Sequence, residues 1–455
     1  MSYSPAYHSA CREVREHFGD RPHAVCVLTF GCQQNEADSE KLRGIAADMG
    51  YRPVDTPEEA DLVIFNTCAI REHAEQKVLS YLGGLKKQKQ QNPDLLIGVA
   101  GCMTAQEHRV GQLKTSYPYV SFTLDPASLP DLPRAVAEAL RGKRNFHLGE
   151  ECPPIDESLP TLRREKHRAW VSIMYGCNNF CSYCIVPYVR GRERSRMSSD
   201  IIGEVEALVA DGCREITLLG QNVNSYRGDC DFATLLRRIA YLPGDFTVRF
   251  MTSHPKDVPD DLIRVMTAYP DRIVPHFHLP LQSGSDEILR RMNRRYTAAS
   301  YLETVEKLRA AIPHIALTTD IIVGFPGETE EDFEATLTML KTVGFEMAYT
   351  FLYSPRQGTP AARMEGQIDS ATRADRMARL LALQDEICLQ QAQKYVGKTL
   401  RILVDGRSRI GARYTGRTPA NKPVHFLANE SRIGTYVNVR IDRAEAYAFY
   451  GTWCD

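Results

Sequence analysis

The sequence lacks the features that mark membrane and secreted proteins. No apolar run approaches the roughly 20 residues that a helix needs to cross a bilayer. Residues 1–20 alternate charged and polar groups and contain no apolar stretch of the kind found in secretory signals. The chain has no solenoid repeat and no low-complexity tract either. We therefore expect a cytoplasmic protein that does not act at a membrane.

The chain also lacks a strong net charge. Its 56 Lys and Arg residues nearly balance its 57 Asp and Glu residues, so no overall field attracts a polyanion. Two regions are nevertheless basic: residues 394–455 hold 11 basic against 5 acidic residues, and residues 190–196 hold 4 arginines and one glutamate. Such patches suit nucleic acids, but ordinary solvated surfaces have the same composition. With 43% hydrophobic and 25% charged residues, the 455-residue chain is typical of a soluble protein of about three domains.

Cysteine, by contrast, is abundant, with 13 residues, and without a secretory signal it indicates metal binding or catalysis rather than disulfides. The tightest group, which we call the loop trio, is Cys177, Cys181 and Cys184, with the spacing C-x3-C-x2-C. Three thiolates from one short loop can hold three irons of a 4Fe–4S cube and leave the fourth open, which is typical of a catalytic centre. The alternative is a zinc knuckle, although zinc usually recruits four protein ligands.

Three further cysteines each follow a short apolar, β-rich run near the N-terminus. The runs are 24–30 (AVCVLTF), 61–65 (DLVIF) and 95–100 (LLIGVA). Helical patterns over 38–49 and 71–87 separate them, which predicts a parallel α/β sheet. Since ligands bind at the carboxyl edge of such sheets, we expect Cys32, Cys68 and Cys102, the sheet trio, to converge there. Each of them alone is better explained as a small buried side chain, and it is the three together at one predicted sheet edge that indicate a site.

Strand–helix alternation resumes after a proline-rich linker. Its six predicted strands are 170–174, 215–219, 247–251, 275–279, 317–323 and 346–353. Six βα units are too few for a closed eight-fold barrel, so we predict a partial (β/α)6 barrel. Thr329 and Asp332 have the spacing of a capping box at the start of a helix over 329–343. A long helix over 369–395 precedes a small all-β barrel, whose predicted strands are 398–404, 423–427 and 436–441.

These patterns divide the chain into five segments. They are an N-terminal extension at 1–22, an α/β domain at 23–149, a linker at 150–167, the partial barrel with its connecting helix at 168–392, and the all-β domain at 393–455. The fold class that we predict is therefore α/β throughout, with one small all-β barrel at the C-terminus.

Several phrases of the sequence resemble the methylthiotransferase family of radical-SAM enzymes. They are 29–35 (TFGCQQN), 66–71 (NTCAIR), 101–102 (GC), 184–192 (CIVPYVRGR), 219–226 (LGQNVNSY), 278–285 (HLPLQSGS), 324–328 (GFPGE) and 416–422 (GRTPANK). The resemblance runs from about residue 24 to 453, and the phrases at 219–226 and 416–422 are similar to the branch that acts on tRNA. Two departures, Gln34 where Met is expected and Val189 where Thr is expected, affect no cluster ligand.

The resemblance implies two 4Fe–4S clusters, one on the loop trio and an auxiliary one on the sheet trio. It also implies S-adenosylmethionine: one molecule donates methyl to a sulfur at the auxiliary cluster, and a second is cleaved reductively to a radical. The implied substrate is a tRNA with an isopentenylated adenosine beside the anticodon, methylthiolated at carbon 2, and an unpaired loop base leaves its stack at modest cost. An electron donor such as flavodoxin or ferredoxin and a sulfur donor are the other implied partners, and the C-terminal module resembles an RNA-binding TRAM domain.

Seven residues at or near predicted strand ends are candidates for binding S-adenosylmethionine: Gln221, Asn222, Gln282, Ser283, Asp320, Gly324 and Gly327. The amides of Gln221 and Asn222 suit the methionine part, Gln282 and Ser283 suit ribose, and the two glycines let the backbone approach adenine. Ordinary turn chemistry explains these types as well. A carboxylate inside a strand, Asp320, either faces the barrel functionally or is neutralised by a partner.

Three alternatives remain open at this point. A related methylthiotransferase acting on threonylcarbamoyl-adenosine or on a ribosomal protein shares most of these motifs, although the 219–226 phrase argues against both. A non-catalytic iron–sulfur electron carrier explains the cysteines but not a large barrel, an open iron or an RNA module. A zinc-dependent RNA-binding protein explains the cysteines and the basic C-terminus.

Overall fold

The computed structural model describes residues 4–70, 72–146 and 154–454. Arg71 of the second cysteine phrase and residues 150–153 of the predicted linker lie outside these ranges. The chain forms two compact units. The first comprises Met1–Arg164, Tyr175–Asn178 and Cys184–Arg194, and the second comprises Glu165–Met174, Asn179–Tyr183 and Ser195–Asp455. The loop trio therefore contributes cysteines to both units.

A six-stranded parallel sheet forms the centre of the first unit, in the order β2-β1-β3-β4-β5-β6. Its strands are β1 Ala24–Phe30, β2 Arg52–Pro53, β3 Leu62–Thr67, β4 Leu96–Gly101, β5 Phe122–Leu124 and β6 Asn145–Phe146. The α-helices of this unit include α1 Pro5–Phe18, α2 Gln33–Asp48, α3 Glu72–Gln91, α4 Glu107–Ser116 and α5 Leu132–Leu140. The predicted parallel sheet is confirmed, and its three short strands β2, β5 and β6 were not predicted.

Both faces of this sheet are apolar. Val25 and Ile64 belong to one hydrophobic core, whereas the neighbouring residues Cys26 and Val63 belong to another. Successive residues of a strand point to opposite faces, so continuously apolar strands require helices on both sides. Helix α1, in the segment predicted as an N-terminal extension, buries Tyr7, Cys11 and Val14 in the first of these cores.

Helix α2 begins five residues earlier than its apolar pattern predicts. Its N-cap is Cys32, and the backbone N–H of Cys32 donates to Oδ1 of Asn35 at 3.3 Å. This local capping contact extends the helix to the cysteine itself. The consequence is that the Cys32 thiol lies at a helix N-terminus, where the helix dipole favours a thiolate.

The second unit contains two three-stranded parallel sheets, ordered β7-β10-β11 and β12-β13-β14. The strands are β7 Arg168–Ser172, β10 Glu215–Leu219, β11 Thr247–Phe250, β12 His276–His278, β13 Ala316–Val323 and β14 Met347–Leu352. A parallel bridge between Val248 and Ile273 continues the hydrogen bonding from β11 to the segment before β12. The six predicted strands and the partial barrel are thus confirmed.

Helices alternate with these strands. They include α7 Ser198–Ala210, α8 Phe232–Ala240, α9 Asp260–Ala268, α10 Asp286–Arg291, α11 Ala298–Ala311, α12 Glu330–Val343 and α13 Ser370–Gln393. Thr329 and Asp332 form the predicted capping box of α12. Three short elements, β8 Met174–Tyr175, α6 Val186–Val189 and β9 Arg194–Ser195, lie in the stretch where the chain alternates between the units. Within the described ranges, no helix combines the length and the apolar character that crossing a bilayer requires.

The C-terminal strands of the second unit close into a small barrel, ordered β15-β16-β17-β19-β18. They are β15 Thr399–Arg407, β16 Tyr414–Arg417, β17 Pro423–Phe426, β18 Tyr436–Ala444 and β19 Phe449–Cys454. The all-β module is confirmed, although β16 and β19 were not predicted. Arg249 of β11 donates to the carbonyls of Thr418 and Pro419 at 2.9 and 3.0 Å, and these contacts fix the 416–422 phrase against the partial barrel.

Candidate functional site

The sheet trio lies at one edge of the parallel sheet, as the strand pattern predicts. Phe30 of β1 pairs with Thr67 of β3, and Thr67 pairs with Gly101 of β4, so the three strands end level. Cys32 lies two residues after Phe30, Cys68 directly follows Thr67, and Cys102 directly follows Gly101. Residues far apart in sequence thus become neighbours because parallel strands present their carboxyl ends on the same side.

The three thiols interact with one another. A hydrogen bond with the Cys68 thiol lowers the pKa of the Cys32 thiol to about 6, although burial acts in the opposite direction. The same hydrogen bond, and burial, raise the pKa of Cys68. Burial also raises the pKa of Cys102, and the nearby Arg190 guanidinium opposes this effect. Such mutual influence places the three sulfur atoms in one electrostatic site.

Two buried asparagines hold the backbone around these thiols. Nδ2 of Asn66 donates to the carbonyl of Asn35 at 2.8 Å and to the hydroxyl of Ser39 at 2.9 Å. Nδ2 of Asn35 donates in turn to Oδ1 of Asn66 and to the carbonyl of Thr67, both at 3.2 Å. Since both amides are fully buried, this network fixes the ends of β1 and β3. Asn35 and Asn66 belong to the recognised phrases, but their roles were not predicted.

A buried arginine also contacts the sheet trio. Nε of Arg190 donates to Sγ of Cys102 at 3.1 Å, and its Nη2 donates to Oδ2 of Asp38 at 2.8 Å. Arg190 follows helix α6, whose Ile185 and Val189 pack against Ala69 and Cys102. Arg190 is therefore not part of the solvated surface or nucleic-acid patch that the composition of residues 190–196 suggests, whereas Arg192 of the same stretch is exposed.

Arg196, in the second unit, is buried in a similar way. It forms an ion pair with Glu204 at 2.8 Å and donates to the carbonyl of Ser172 at 2.7 Å. Two of the four arginines of this stretch thus serve buried hydrogen bonding, for which a guanidinium offers several donors in a fixed geometry.

The loop trio follows β7 and β8 directly. Gly176 precedes Cys177 and has φ 73°, and an added Cβ there would lie 2.1 Å from the carbonyl oxygen of Arg192. The backbone N–H of Cys177 donates to the carbonyl of Gly191 at 3.2 Å. A left-handed residue without a side chain is thus required for the loop to turn at the first cysteine.

In the second unit, hydrogen bonds from residues 291–294 support the middle of the same loop. Ser182 donates through its N–H to the carbonyl of Met292 at 3.0 Å, and Asn293 donates to the carbonyl of Phe180 at 2.9 Å. Nη1 of Arg294 lies 3.5 Å from Sγ of Cys181, and its Nη2 donates to the carbonyl of Pro280 at 2.9 Å. A buried guanidinium thus contacts a cysteine of each trio, and neither arginine was predicted.

The donor chemistry of both trios fits iron–sulfur clusters. Across the described ranges, no three His, Cys, Asp or Glu side chains are close enough together to hold a single metal ion. A 4Fe–4S cube takes one thiolate per iron, so its ligands stand apart at its corners. Hydrogen bonds from Arg190 and Arg294 to cysteine sulfur are also the kind of contact that stabilises a cluster-bound thiolate.

The amide and hydroxyl of two predicted cofactor-binding residues are engaged in loop structure. Nδ2 of Asn222 donates to Oδ2 of Asp257 at 2.8 Å, and its Oδ1 accepts the N–H of His254 at 3.0 Å. The Ser283 hydroxyl accepts the N–H of Ser285 at 3.2 Å and is fully buried. Both side chains therefore have hydrogen-bond partners in the loops at the strand ends, and their binding to S-adenosylmethionine stays a prediction.

The glycines and Gln282 have left-handed backbone conformations. Gly324, Gly327 and Gln282 have φ 75°, 79° and 69°. An added Cβ would lie 2.3 Å from Cγ of Arg373 at Gly324 and 2.8 Å from Cζ of Arg291 at Gly327. These glycines therefore admit arginine side chains against the backbone, a requirement that the sequence did not reveal.

Gln221 and Asp320 are half-buried. One carboxylate oxygen of Asp320 lies 3.6 Å from Nε2 of His278, whose Nδ1 is 3.0 Å from the hydroxyl of Thr318. Asp320 thus has a polar partner, His278, on the adjacent strand β12. This contact agrees with the alternative in which the carboxylate has a neutralising partner inside the strand.

Sequence profiles of three families match successive parts of the chain. Residues 24–125 match the uncharacterized protein family UPF0004, residues 171–340 match the radical SAM superfamily, and residues 393–452 match the TRAM domain. A radical S-adenosylmethionine methyltransferase, TsrM, from Kitasatospora setae has a similar fold, with a TM-score of 0.53 over 75% of each chain and 14% identity. The fold and the cysteine loop define a radical-SAM enzyme, for which S-adenosylmethionine and a 4Fe–4S cluster are the family's cofactors.

Relatives of similar length identify the branch. The tRNA-2-methylthio-N(6)-dimethylallyladenosine synthase of a Thermoanaerobacter species is 48% identical over 93% of this chain and 91% of its own. The enzyme of the same name from Acetivibrio thermocellus is 49% identical over 94% of this chain and 90% of its own. The chain therefore belongs to the tRNA-2-methylthio-N(6)-dimethylallyladenosine synthase family of radical-SAM methylthiotransferases.

Proposed function

We propose that this chain transfers a methylthio group to carbon 2 of an N6-isopentenylated adenosine beside the anticodon of a tRNA. The observation that carries the proposal is the row of three thiols at one sheet edge in a chain that also holds the C-x3-C-x2-C loop. The reaction needs one centre that makes a radical and a second that presents sulfur, and the two trios supply the ligands for both. Relatives that share nearly the whole chain carry the name of this reaction.

In this proposal the loop trio holds the cluster with the open iron and the sheet trio holds an auxiliary 4Fe–4S cluster. When bound, these groups and S-adenosylmethionine supply a radical that removes hydrogen from an unactivated carbon and a sulfur that takes its place. The chain's own residues exclude water from Cys68 and Cys102, which are almost completely buried. Asn35 and Asn66 fix the strand ends that carry the thiols.

The candidates for binding S-adenosylmethionine act in two ways in this proposal. Gln221, Gln282 and Asp320 contact it through side chains, and Gly324 and Gly327 contact it through their backbone. Asn222 and Ser283 shape the loops in which they are hydrogen-bonded.

The C-terminal barrel binds the tRNA backbone through exposed arginines between two of its strands. Other basic residues of the barrel form ion pairs, among them Arg401–Asp245, Arg417–Asp405, Lys422–Glu346, Arg440–Asp442 and Arg443–Glu445. Arg409 and Arg413 lie exposed between β15 and β16 and are better placed to meet phosphates.

Replacing Arg409 and Arg413 with alanine should therefore weaken tRNA binding. The slope of log affinity against log salt should fall by about 2, one unit for each lost phosphate contact. Alanine at Arg290, an exposed arginine of α10 that pairs with Glu287, is the matched control and should leave the slope unchanged. Equal slopes in the double variant and the parent would remove the barrel's proposed role.

Two protein partners complete the proposal. Reductive cleavage of S-adenosylmethionine consumes an electron from a donor such as flavodoxin or ferredoxin, and each transferred sulfur is replaced by a sulfur donor. We propose that the protein works in the cytoplasm, where such partners and tRNA meet.

Iron analysis tests the second cluster. Anaerobically reconstituted protein with Cys32, Cys68 and Cys102 all changed to alanine should lose about half of its iron and sulfide, since each trio holds one cube. The matched control changes Cys11, Cys26 and Cys213, three buried cysteines outside both trios, and should keep the full content. Full iron without the sheet trio would contradict the auxiliary cluster.

Nucleoside analysis tests the substrate. Transfer RNA from a strain without this gene should contain isopentenyladenosine but no 2-methylthio derivative, and the wild-type gene should restore that derivative. Unchanged methylthio-isopentenyladenosine, with loss of the methylthio derivative of threonylcarbamoyl-adenosine, would assign the chain to the related tRNA branch instead.

A further inference from the structure

A chain of buried polar contacts leads away from the sheet trio. Nε2 of Gln34 donates to Oδ1 of Asp38 at 3.2 Å, Asp38 accepts from Nη2 of Arg190 at 2.8 Å, and Nε of Arg190 donates to Sγ of Cys102 at 3.1 Å. Each of these four side chains has less than a tenth of its surface exposed. Gln34 is one of the two positions at which the sequence departs from the family pattern.

The arginine is held in place from both sides. Ile185 and Val189 pack against Ala69 and Cys102 and carry Arg190 at the end of α6, while Asp38 fixes the far side of the guanidinium. Val189 is the second departure from the family pattern. Burying a guanidinium and a carboxylate is costly unless their hydrogen bonds are satisfied. If Arg190 and Asp38 only filled space, apolar side chains of similar volume would do so at lower cost.

The contact at Cys102 has an electrostatic consequence for a cluster-bound thiolate. Reduction adds one electron, and therefore one negative charge, to a cluster. A hydrogen bond or a positive charge at a ligating sulfur stabilises that added charge and raises the reduction potential. A carboxylate beside the same guanidinium cancels part of its field.

We infer that Arg190 is a positioning residue that raises the reduction potential of the auxiliary cluster through Cys102, and that Asp38 limits the size of this effect. The inference rests on the proposed auxiliary cluster. It assigns opposite signs to two neighbouring side chains. Removing the charge of Arg190 lowers the potential, and removing the charge of Asp38 raises it.

The experiment measures the auxiliary cluster alone in the full-length chain. Alanine at Cys177, Cys181 and Cys184 removes the other cluster, and this parent is reconstituted anaerobically. Arg190→Gln and Asp38→Asn are then compared with it by iron content and by an EPR-monitored reductive titration. The matched control is Arg43→Gln, since Arg43 is another buried arginine of the same unit whose guanidinium donates to the carbonyl of Val27.

We expect a more negative midpoint potential in Arg190→Gln, a less negative one in Asp38→Asn and none of these shifts in Arg43→Gln. If Arg190→Gln does not retain iron, the positive shift in Asp38→Asn still supports the inference, and its absence overturns it. Shifts of the same sign in both variants, or an equal shift in Arg43→Gln, indicate general packing damage and overturn it too. A parent that binds no iron rejects the auxiliary cluster itself, which is distinct from a parent that binds iron with a potential insensitive to Arg190.

Discussion

The loop trio and the sheet trio present the same three donors but are assembled by different means. Cys177, Cys181 and Cys184 fall within residues 177–184, so the backbone alone keeps them near one another. The sheet trio is spread over residues 32–102 and meets only because β1, β3 and β4 are parallel neighbours that end level. A ligand set built from topology depends on the whole sheet, whereas one built from a loop depends on a few turn residues.

Arg190 at the sheet trio and Arg294 at the loop trio differ in whether a carboxylate balances their charge. Arg190 is paired with the carboxylate of Asp38, whereas no carboxylate among the described residues pairs with Arg294, which donates to Pro280 and to the Tyr296 hydroxyl. Cys102 of the sheet trio therefore contacts the guanidinium of Arg190, whose charge Asp38 partly neutralises. Cys181 contacts the guanidinium of Arg294, whose charge no carboxylate in the described part of the chain balances. The two trios thus provide different electrostatic surroundings for the two clusters that we propose.

The largest expected effect separates the trios by function. Alanine at all three cysteines of the loop trio should abolish both formation of 5′-deoxyadenosine and methylthiolation of tRNA. Alanine at the sheet trio should abolish methylthiolation but leave 5′-deoxyadenosine formation, because in our proposal only the cluster on the loop trio cleaves the cofactor. Mass spectrometry of both products checks this. If each variant lost both products, the two trios would not have separate roles.

The next effect compares the glycines that precede one cysteine of each trio. Gly101 has φ 97° and an added Cβ would lie 2.4 Å from Oδ1 of Asn66, and Gly176 is equally confined. Gly101→Ala and Gly176→Ala should each lower the free energy of unfolding by about 1–3 kcal/mol, because both strain and overlap must be relieved. Each should also lose the iron of its own trio.

Gly111→Ala is the control for these glycine variants. Gly111 lies in α4 with open space around a built Cβ, so alanine there should raise stability by about 0.5–1 kcal/mol. Urea unfolding and iron analysis measure both quantities. Loss of iron from the same cluster in Gly101→Ala and Gly176→Ala would contradict their assignment to separate sites.

A smaller effect compares the two amides that support the trios. Asn66→Ala should cost about 1–3 kcal/mol, because it removes the buried hydrogen bonds that the Asn66 side chain makes with the carbonyl and the amide of Asn35 and with the hydroxyl of Ser39. Asn293→Gly removes a similar amide that is exposed and has φ 58°, and it should cost below about 1 kcal/mol. If urea unfolding gave equal losses of unfolding free energy in Asn66→Ala and Asn293→Gly, the sheet trio would depend on its supporting side chains no more than the loop trio does.

The smallest effect concerns acid. Burial, together with the charges of Arg294 and Lys256, lowers the pKa of His254 to about 2. Below pH 6.5 the unfolded chain therefore binds a proton that the folded chain does not, so stability should fall with a slope of up to about 1.4 kcal/mol per pH unit. His254→Gln should flatten this slope in unfolding measured between pH 7 and 5. If the slope of unfolding free energy against pH were unchanged in His254→Gln, a group other than His254 would control the acid sensitivity of the protein's stability.

The amount that could be predicted differs between the two trios. The C-x3-C-x2-C spacing was sufficient to propose the loop trio as a cluster site, because its three cysteines are close together in the sequence. The sheet trio could be predicted only through the repeated strand–cysteine pattern, which the row Phe30–Thr67–Gly101 confirms. The capping role of Asn35 escaped because the apolar pattern of α2 starts after its true beginning at Gln33.

Composition misled where burial decides. The arginines of 190–196 read as a surface patch, but Arg190 and Arg196 are buried in ion pairs. Asn222 and Ser283 were predicted to bind the cofactor from their types and positions; Asn222 is hydrogen-bonded to residues of the loop after β11 and Ser283 within its own loop, and their binding to the cofactor stays a prediction. A sequence reports that a polar side chain exists, but its partner is a matter of three-dimensional distance.

By itself the sequence determined the main alternation of strands and helices, the two groups of cysteines and the family, because periodicity and short motifs are local properties. Tertiary structure alone decided that Arg190 and Asp38 would meet Cys102 and that Arg294 would meet Cys181. These contacts join residues about 90 to 150 positions apart. Hydrogen bonds require atoms within a few ångströms, and only the packed strands and helices bring such distant residues to that separation.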